Sequence, residues 1–379
     1  MTKNRPSSVP RERRVRPGKG QGRPGAGIRD GDFSRRLTSW YRGHHRKLPW
    51  REGADPYRIW ISEIMLQQTT VRAVVPYYER WTRLFPDVRT LARAPLQKVL
   101  RAWQGLGYYQ RARNLHRAAR ILVRDHAGRI PDDERILGGL PGFGPYTIAA
   151  VLSLAYSRRL PVVDANVRRV VMRIMGLRGE ASSRKDDEIR AYLQGVFPAR
   201  KPGLFNQAMM ELGALVCRSR NPQCLLCPVR EACRASREGT QEVIPRPGKR
   251  STKKVAAAVA VIEDRGRFLI QKRPPSGLLA GLWEFPGGKI KRGESPEAAL
   301  RREVREELGA RAGHVRRLTT VRHAYTRYEV TLHVFSCRLQ GPALATRPDR
   351  RWVSLRSVRR YPLPSGSVKI VDFLARPSR

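Results

Sequence analysis

The stretch Trp60-Ile61-Ser62-Glu63-Ile64-Met65-Leu66-Gln67-Gln68-Thr69 places a single acid, Glu63, inside an apolar run of helical length. Apolar residues three and four positions apart predict a helix with a buried face. Burial disfavours the charged form of a carboxyl group and raises its pKa, so a buried Glu63 can donate a proton near neutral pH. Periodicity alone favours the alternative, in which Glu63 lies on the solvent side of the helix. The polar residues 67–69 support the first interpretation, because they offer groups to a polar ligand beside the acid.

The charge balance of the chain predicts a polyanionic partner. Lysine and arginine outnumber aspartate and glutamate by 76 to 32 in 379 residues. Nucleic acid is the first candidate for such a partner, and an anionic membrane surface is the alternative. No apolar run approaches the roughly 20 residues of a membrane-spanning helix, and the N-terminus lacks the apolar core of a signal peptide. We therefore expect an intracellular, cytoplasmic protein without a membrane partner.

Composition divides the chain into four parts. Residues 1–31 contain nine basic and two acidic residues and almost no aliphatic ones, which predicts a disordered basic arm that attracts phosphates or, equally, an inert solubilising tail. Residues 32–235 show helical periodicity interrupted by proline and glycine, which predicts an all-helical domain. Residues 236–254 are rich in proline, glycine and charge and are typical of a linker. Residues 255–379 predict an α+β domain, with strands near 255–262, 267–272, 315–323 and 328–338 and a helix near 296–308.

Two glycines in the segment 140–147, Leu-Pro-Gly-Phe-Gly-Pro-Tyr-Thr, are candidates for binding a DNA backbone. Gly142 and Gly144 leave backbone N–H groups free to face an anion at the start of a helix, and in a basic chain a phosphodiester is the natural ligand. An ordinary turn between antiparallel helices is the alternative. The flanking residues make the segment similar to a helix-hairpin-helix.

Asp164 follows shortly afterwards and has two interpretations. It stands where the N-cap of an apolar-periodic helix is expected. An aspartate and a glutamate from separate helices are also what cleavage of a glycosidic bond needs, because one carboxyl protonates the leaving group and the other stabilises the sugar cation. A capping residue can perform both tasks.

Four of the five cysteines, Cys217, Cys224, Cys227 and Cys233, lie within 17 residues at spacings of six, two and five. In a reducing compartment this clustering predicts a metal centre rather than disulfides. Four thiolates suit an iron–sulfur cluster, with zinc as the alternative. Cys337 stands apart and is expected in the core of the second domain.

These motifs together resemble the endonuclease III superfamily of helix-hairpin-helix DNA glycosylases and, within it, the MutY-type adenine DNA glycosylases. The resemblance covers about 33–379, because a C-terminal Nudix-like domain is also a feature of that family. The cysteine spacing is similar to that of the [4Fe–4S] loop of the superfamily, which implies this cluster as a cofactor. The other matching motifs are Leu-Pro-Trp-Arg (48–51), Ser-Glu-Ile-Met-Leu-Gln-Gln-Thr (62–69), Gly-Leu-Gly-Tyr-Tyr-Gln-Arg-Ala-Arg-Asn-Leu (105–115), Asp-Ala-Asn-Val (164–167) and Phe-Asn-Gln-Ala-Met-Met-Glu-Leu-Gly (205–213).

Tyr146 decides the subtype that the resemblance implies. Members of the superfamily that also cut the DNA backbone carry a lysine at this position, which forms a Schiff base with the sugar. With Tyr146 there, we expect hydrolysis of the glycosidic bond without strand cleavage. The alternatives are a glycosylase with lyase activity and a thymine-mismatch glycosylase, and, outside this superfamily, a DNA-binding protein without activity and a free-nucleotide pyrophosphatase that needs only 255–379.

The resemblance also implies a mechanism and a substrate. The substrate is double-stranded DNA in which adenine is mispaired with 8-oxoguanine or guanine, and the adenine is flipped out of the stack. Glu63 protonates the adenine ring, Asp164 stabilises the sugar cation, and Tyr146 and Asn166 orient them. The resemblance also places Arg51 and Glu211 near the flipped adenine. It places Gln68 beside the space that the adenine leaves in the base stack, and it makes Tyr108 a residue that intercalates between bases. A monomer that acts near a bacterial-type nucleoid is expected.

The second domain contains a nearly complete Nudix box, from Gly288 to Ala310, with Ala310 in place of a larger aliphatic residue. Its carboxylates form a candidate Mg²⁺ site, because clustered carboxylates repel one another unless they meet a cation. These residues are Glu294, Glu303, Glu306 and Glu307. We hypothesise that the domain retains Mg²⁺-dependent hydrolysis of nucleoside triphosphates; an inherited, solvated acidic face is the alternative. Tyr325-Thr326-Arg327 stands where the family reads 8-oxoguanine with Phe-Ser-His, so arginine replaces the histidine.

Overall fold

The structure is a computed structural model that describes residues 30–248, 252–325, 328–341, 344 and 347–376. The predicted arm 1–31 therefore lies outside the described residues, except for its last two residues, which begin the first helix. In the part of the chain that is described, no helix is long and apolar enough to cross a membrane.

The first domain is helical, as the periodicity predicts. Its helices are α1 Asp30–His44, α2 Pro56–Leu66, α3 Val71–Leu84, α4 Val88–Arg93, α5 Leu96–Ala102, α6 Gln110–Asp125, α7 Glu134–Gly138, α8 Pro145–Ala155, α9 Ala165–Met175, α10 Asp186–Val196, α11 Pro202–Leu215 and α12 Arg234–Arg237. Short 3₁₀ turns occur at Pro49–Arg51, Ser183–Lys185, Cys224–Leu226 and Arg230–Ala232. The sequence did not predict α4, α7 and α12, because four to six residues are too few to show a helical period.

Two apolar cores divide this domain into halves. The larger core contains the buried indoles of Trp60, Trp81 and Trp103 and joins α2, α3, α5, α6 and α8. The second core joins α1, α9, α10 and α11 around Phe33 and Phe205. Between the halves α2 packs on α8, and α8 and α9 both pack on α11.

Part of the segment predicted as a linker, 236–254, packs against the helical domain. Ile244 is buried in the second core, and its carbonyl accepts a hydrogen bond of 2.7 Å from Nε of Arg173. The backbone N–H of Arg246 donates to the carbonyl of Gly179 at 2.8 Å. The docked residues satisfy buried polar groups of the helical domain, which a flexible linker does not do.

The second domain is built on a mixed sheet. Its elements are β1 Lys253–Asp264, β2 Arg267–Lys272, β3 Trp283–Glu284, β4 Gly287–Lys289, α13 Pro296–Leu308, β5 Arg311–Tyr325, β6 Tyr328–Gln340, β7 Arg350–Ser354, α14 Leu355–Val358 and α15 Ser365–Leu374. The main strand order is β3-β2-β1-β6-β5, with β1 and β6 parallel, while β4 pairs with β1 and β7 pairs with β2. The predicted α+β class is confirmed. Periodicity did not reveal β3, β4, β7, α14 and α15.

Alternating residues of the central strand β1 bury both faces of the sheet. Ala258, Ala260 and Ile262 pack against α13, whereas Val259 and Val261 pack on the side of α15. A period of two residues sends successive side chains to opposite faces, so two layers of helix cover one sheet. The Nudix box, 288–310, begins in β4, passes through the loop before α13 and continues along that helix.

Candidate active site

Three helices bring the predicted catalytic residues to one cavity of about 240 Å³. Glu63 comes from the middle of α2, Tyr146 from the first turn of α8, and Asp164 from the residue before α9. The cavity is lined by Arg46, Leu48, Trp50, Arg51, Ile59, Ser62, Glu63, Leu66, Thr69, Thr70, Val71, Tyr146, Leu154, Asp164, Asn166, Gln207, Met210, Glu211 and Ala214. Apolar walls with a few convergent polar groups are typical of a small-molecule or base pocket.

Glu63 is 5% exposed, so the interpretation that places it on the solvent side of its helix is wrong. The Tyr146 hydroxyl donates a hydrogen bond to Oε2 of Glu63. Burial raises the pKa of Glu63 to about 7, with a further contribution from Asp164, although the Tyr146 hydrogen bond and Arg51 lower it. Burial beside these two carboxyl groups also holds the pKa of Tyr146 well above its ordinary value, so its hydroxyl stays a donor. Glu63 can therefore exchange a proton near neutral pH.

Asp164 caps α9 and lines the cavity at the same time, so both interpretations of this residue hold. Its Oδ1 accepts from the backbone N–H of Val167 at 2.6 Å, and its Oδ2 accepts from Nδ2 of Asn166 at 3.1 Å. Burial raises the pKa of Asp164, against these hydrogen bonds, which lower it. Asn166 is itself held by Nη2 of Arg169 at 3.0 Å. The carboxyl group is thus fixed in orientation without an ion pair of its own in the described residues.

Glu211 lies opposite, fully buried on α11, and is bound by two arginines. Arg46 donates to it from its backbone N–H, Nε and Nη2 at 2.8–2.9 Å, and Arg51 donates from Nη2 at 2.7 Å. Burial would raise the pKa of Glu211, but these hydrogen bonds outweigh it and lower the pKa to about 2. Glu211 is therefore a permanent anion that orients Arg51 in the cavity wall.

Two loops at the rim hold the residues predicted to enter DNA. Gln68 follows α2, is exposed and has a φ of +58°, and Tyr108 is 40% exposed with a φ of +46°. Arg111 joins the loops: Nη1 donates to the carbonyls of Ile64 at 2.7 Å and Gln67 at 2.6 Å, and Nη2 donates to that of Leu106 at 3.1 Å. Its guanidinium also lies over the Tyr108 ring at 5.4 Å. Gln68 and Tyr108 thus lie outside the cavity, and the hydrogen bonds of Arg111 connect their loops to α2.

The glycine-rich turn between α7 and α8 sets the position of Tyr146. Gly142 has a φ of +86°, and a Cβ there would lie 2.9 Å from Cβ of Asn114, so a side chain does not fit. Gly144 is the extended residue before α8. Phe143, between them, stacks on Trp60 with ring centroids 5.2 Å apart. The hairpin is therefore packed against the helix that carries Glu63.

Sequence reasoning missed Arg46 and Gln207. Arg46 stands in the run His-His-Arg-Lys (44–47), where one more cation in a basic chain has no signal. Gln207 lines the cavity, and its Oε1 accepts from the Tyr41 hydroxyl at 2.7 Å. Its place beside Glu211 on α11, four residues away on the same face, is the only local pattern that points to it.

The four clustered cysteines line a second cavity, together with Arg173, Gln223, Arg230 and Gln241. Nη1 of the fully buried Arg173 lies 3.3 Å from Sγ of Cys217. As the side chains stand, no group of three or more His, Cys, Asp or Glu in the described residues is arranged to hold a metal ion. The donor set nevertheless fits the predicted cofactor, because four thiols converge on one space and its described walls contain no carboxylate or imidazole.

Three acidic residues of the Nudix box are joined to Arg302 in an ion-pair network, and the Mg²⁺ site stays a prediction. Arg302 donates to Glu294 at 2.8 and 3.0 Å, to Glu303 at 2.7 Å and to Glu306 at 3.0 Å. Glu307 accepts from the backbone N–H of Gly287 at 3.0 Å. One arginine thus supplies the cation that three of the four carboxylates need.

The predicted 8-oxoguanine-reading segment is described only in part. Tyr325 is the last residue of β5, and β6 begins at Tyr328. Thr326 and Arg327 lie outside the described residues.

Comparison with known proteins covers both domains. Residues 61–198 match the family model of the HhH-GPD superfamily base excision DNA repair proteins, and residues 257–373 match that of the NUDIX domain. A protein of Homo sapiens named adenine DNA glycosylase is 34% identical to this chain in an alignment 385 positions long, which covers 85% of this chain and 70% of that protein. The chain belongs to the adenine DNA glycosylase family. The resemblance inferred from the motifs is confirmed.

Two further relatives match about half of this chain each. The adenine DNA glycosylase of Mycobacterium tuberculosis (strain ATCC 25618 / H37Rv) is 46% identical over 195 residues, which are 51% of this chain and 64% of that protein. A solved structure of a thermostable thymine-DNA glycosylase is 29% identical, has a TM-score of 0.50 and covers 54% of this chain and 95% of that chain. The thymine-DNA glycosylase thus matches about half of this chain, whereas the human adenine DNA glycosylase matches most of it.

Proposed function

We propose that this protein hydrolyses the glycosidic bond of adenine mispaired with 8-oxoguanine or guanine in double-stranded DNA and leaves the strand intact. The observation that carries the proposal is the buried Glu63, whose pKa is raised to about 7 in a cavity that it shares with Asp164. Adenine is a poor leaving group as an anion, so a group that can protonate its ring near neutral pH is the central requirement of this reaction.

Each residue of the cavity has a role in this reaction. Because Tyr146 donates to Oε2 of Glu63, the other oxygen is left to carry the proton that passes to the adenine ring. The bond between the sugar and the adenine then breaks, and the positive charge on the sugar is stabilised by Asp164, whose orientation Val167 and Asn166 hold. Water adds to the sugar and gives up a proton, for which the resulting Glu63 carboxylate is the base. Tyr146 offers no amine, so no Schiff base with the sugar forms there.

The proposed contacts to adenine come from the opposite wall of the cavity. Each oxygen of Glu211 already accepts two hydrogen bonds from Arg46 and Arg51, so the proposed role of Glu211 is to hold Arg51 against the adenine. Arg51, held by Glu211 and by the carbonyl of Arg46 at 3.0 Å, presents a fixed donor for the ring nitrogens.

The proposal extends to the cofactor and the partner. A [4Fe–4S] cluster would be held by Cys217, Cys224, Cys227 and Cys233 and would close the basic loop that contains them. The cluster takes part in no step of the proposed hydrolysis. Gly142, Gly144, Gln68 and Tyr108 would contact the duplex, and the second domain would read 8-oxoguanine near the end of β5. We propose a monomer that acts where the chromosome lies.

A thymine-mismatch glycosylase is the second candidate, because the solved thymine-DNA glycosylase shares the helical half of the chain. The second domain favours the adenine enzyme, since the human adenine DNA glycosylase matches 85% of this chain.

Base release from three duplexes separates the candidates. The duplexes carry A opposite 8-oxoguanine, A opposite G, and T opposite G, and products are analysed with and without alkali. We expect adenine release from the first two and strand breaks only after alkali. Glu63→Gln should bind the first duplex and lose about 10²–10⁴-fold in rate. Glu79→Gln, which changes an exposed carboxylate on α3, is the matched control. Release of thymine but not adenine, or full activity of Glu63→Gln, would refute the proposal.

A further inference from the structure

Two segments of the second domain, 279–283 and 361–364, pack on the helical domain. Leu282 is fully buried in the larger core of the helical domain. Nε1 of Trp283 donates to Oε1 of Gln97 at 3.1 Å, and Nε2 of Gln97 donates to the carbonyl of Gly281 at 3.2 Å. The backbone N–H of Trp283 donates to the carbonyl of Pro362 at 2.9 Å, which ties the two segments together. The contact between the two domains therefore includes a buried side chain of the larger core and is more than a contact between exposed surfaces.

The second segment holds both ends of the loop 104–109. The backbone N–H of Leu363 donates to Oε1 of Gln104 at 3.1 Å, and its carbonyl accepts from the Tyr109 hydroxyl at 3.1 Å. We call these two hydrogen bonds the Leu363 clip. Leu363 is 1% exposed and Tyr109 is 5% exposed, so water does not compete for the two bonds. One residue of the second domain thus fixes the spacing between the two ends of a loop in the first.

The clipped loop is mechanically connected to the catalytic helix. It carries the exposed Tyr108, and the helical domain also holds it through Nε1 of Trp103, which donates to the carbonyl of Gly107 at 2.9 Å, and through the Tyr77 hydroxyl, which donates to the carbonyl of Gln104 at 3.0 Å. Arg111 binds the Leu106 carbonyl on one side and the Ile64 and Gln67 carbonyls on the other. Ile64 follows Glu63 directly on α2. A shift of the loop therefore changes hydrogen bonds at the end of the helix that holds the proposed acid.

We propose that Gln104 and Tyr109 are positioning residues through which the second domain sets the loop 104–109 and thereby raises excision of adenine opposite 8-oxoguanine over excision opposite guanine. This inference rests on the proposed function. In the proposed function the second domain reads the base opposite the adenine, and the clip is a direct connection from that domain to the loop that carries Tyr108. Loss of the Leu363 clip removes this connection between the second domain and the loop 104–109 and leaves the residues that line the cavity unchanged.

The test uses the full chain and the double variant Gln104→Leu/Tyr109→Phe, which removes one acceptor and one hydroxyl. Single-turnover excision is measured on duplexes with A opposite 8-oxoguanine and A opposite G. We expect the ratio of the two rates to fall by about fivefold or more, the lower end of ordinary coupling between sites, with little change in the rate opposite G. Gln104→Glu keeps an acceptor at the same position and should keep the ratio. Tyr156→Phe removes a comparable hydroxyl-to-carbonyl bond, to Ile130, inside the helical domain and is the matched control.

Hydrogen–deuterium exchange of the same proteins supplies a readout independent of activity. Amides in 104–109 and 361–364 should exchange faster in the double variant, or in Tyr109→Phe alone if the double variant does not fold, and should be unchanged in Tyr156→Phe. An unchanged rate ratio, equal losses on both duplexes, or unchanged exchange would overturn the inference. If the wild-type protein releases no adenine from either duplex, the proposed function fails, while the exchange result still shows whether the clip holds the loop.

Discussion

Replacing Tyr146 by Phe should move the pH dependence of adenine excision to higher pH. The Tyr146 hydroxyl donates to Glu63 and stabilises its charged form, so this hydrogen bond lowers a pKa that burial and Asp164 raise to about 7. Without the hydroxyl, burial acts unopposed by that bond and the pKa of Glu63 rises further. The phenylalanine ring fills the same space, so the cavity keeps its walls.

The magnitude follows from the structure. If the protonated form of Glu63 is active, the wild-type rate falls about tenfold for each pH unit above the pKa. A hydrogen bond to a charged group contributes about 1.5–3 kcal/mol, and one pKa unit corresponds to 1.36 kcal/mol, so the alkaline limb should move up by about one to two units. The position of the alkaline limb, and not the rate of the variant at its optimum, is the quantity that tests the shift in the pKa of Glu63.

The assay is single-turnover excision from a duplex with A opposite 8-oxoguanine, over the range from about pH 6 to about pH 9. Glu63→Gln should show a low rate without this limb, and Tyr156→Phe should follow the wild-type profile. A limb that stays in place or moves to lower pH in Tyr146→Phe would show that the titrating group is not a Glu63 carboxyl bound by Tyr146.

Four further outcomes are expected. The folded-state pKa of Glu63, about 7, lies above its ordinary value of 4.5, so the free energy of unfolding should fall as pH rises between these two values. Glu63→Gln should therefore melt at a higher temperature than wild type at pH 8 but not at pH 4. Borohydride should trap no protein on DNA, since Tyr146 stands in the lyase position; efficient trapping would identify another amine as a nucleophile. The purified protein should be brown with about four iron and four sulfide per chain, whereas a colourless protein with one zinc would overturn the cofactor assignment. Because Arg302 pairs with three carboxylates of the Nudix box, the full chain should not hydrolyse dGTP or its oxidised form with Mg²⁺, and hydrolysis lost in Glu306→Gln/Glu307→Gln would contradict this.

The fold class and the residues that meet in the candidate site could be predicted from the sequence, because the signals are local. Helical periodicity over ten or more residues located most helices of the first domain, and alternation located the main strands of the second. The cysteine spacing, the Gly142–Gly144 turn and Tyr146 in the lyase position are likewise short patterns. Each of these patterns involves only a few adjacent residues, so it can be recognised without knowing how distant parts of the chain pack.

Only the tertiary structure decided what these residues do to one another. Periodicity favoured an exposed Glu63, and burial against Tyr146, 83 positions away, turned it into a group with a pKa of about 7. Arg46 pairs with Glu211 across 165 positions, and Leu363 holds Tyr109 across 254. Desolvation, ion pairing and inter-domain hydrogen bonds depend on distances in space between residues far apart in the chain. Local sequence patterns do not contain those distances, so the acid's protonation, the paired arginines and the Leu363 clip became visible only in the folded protein.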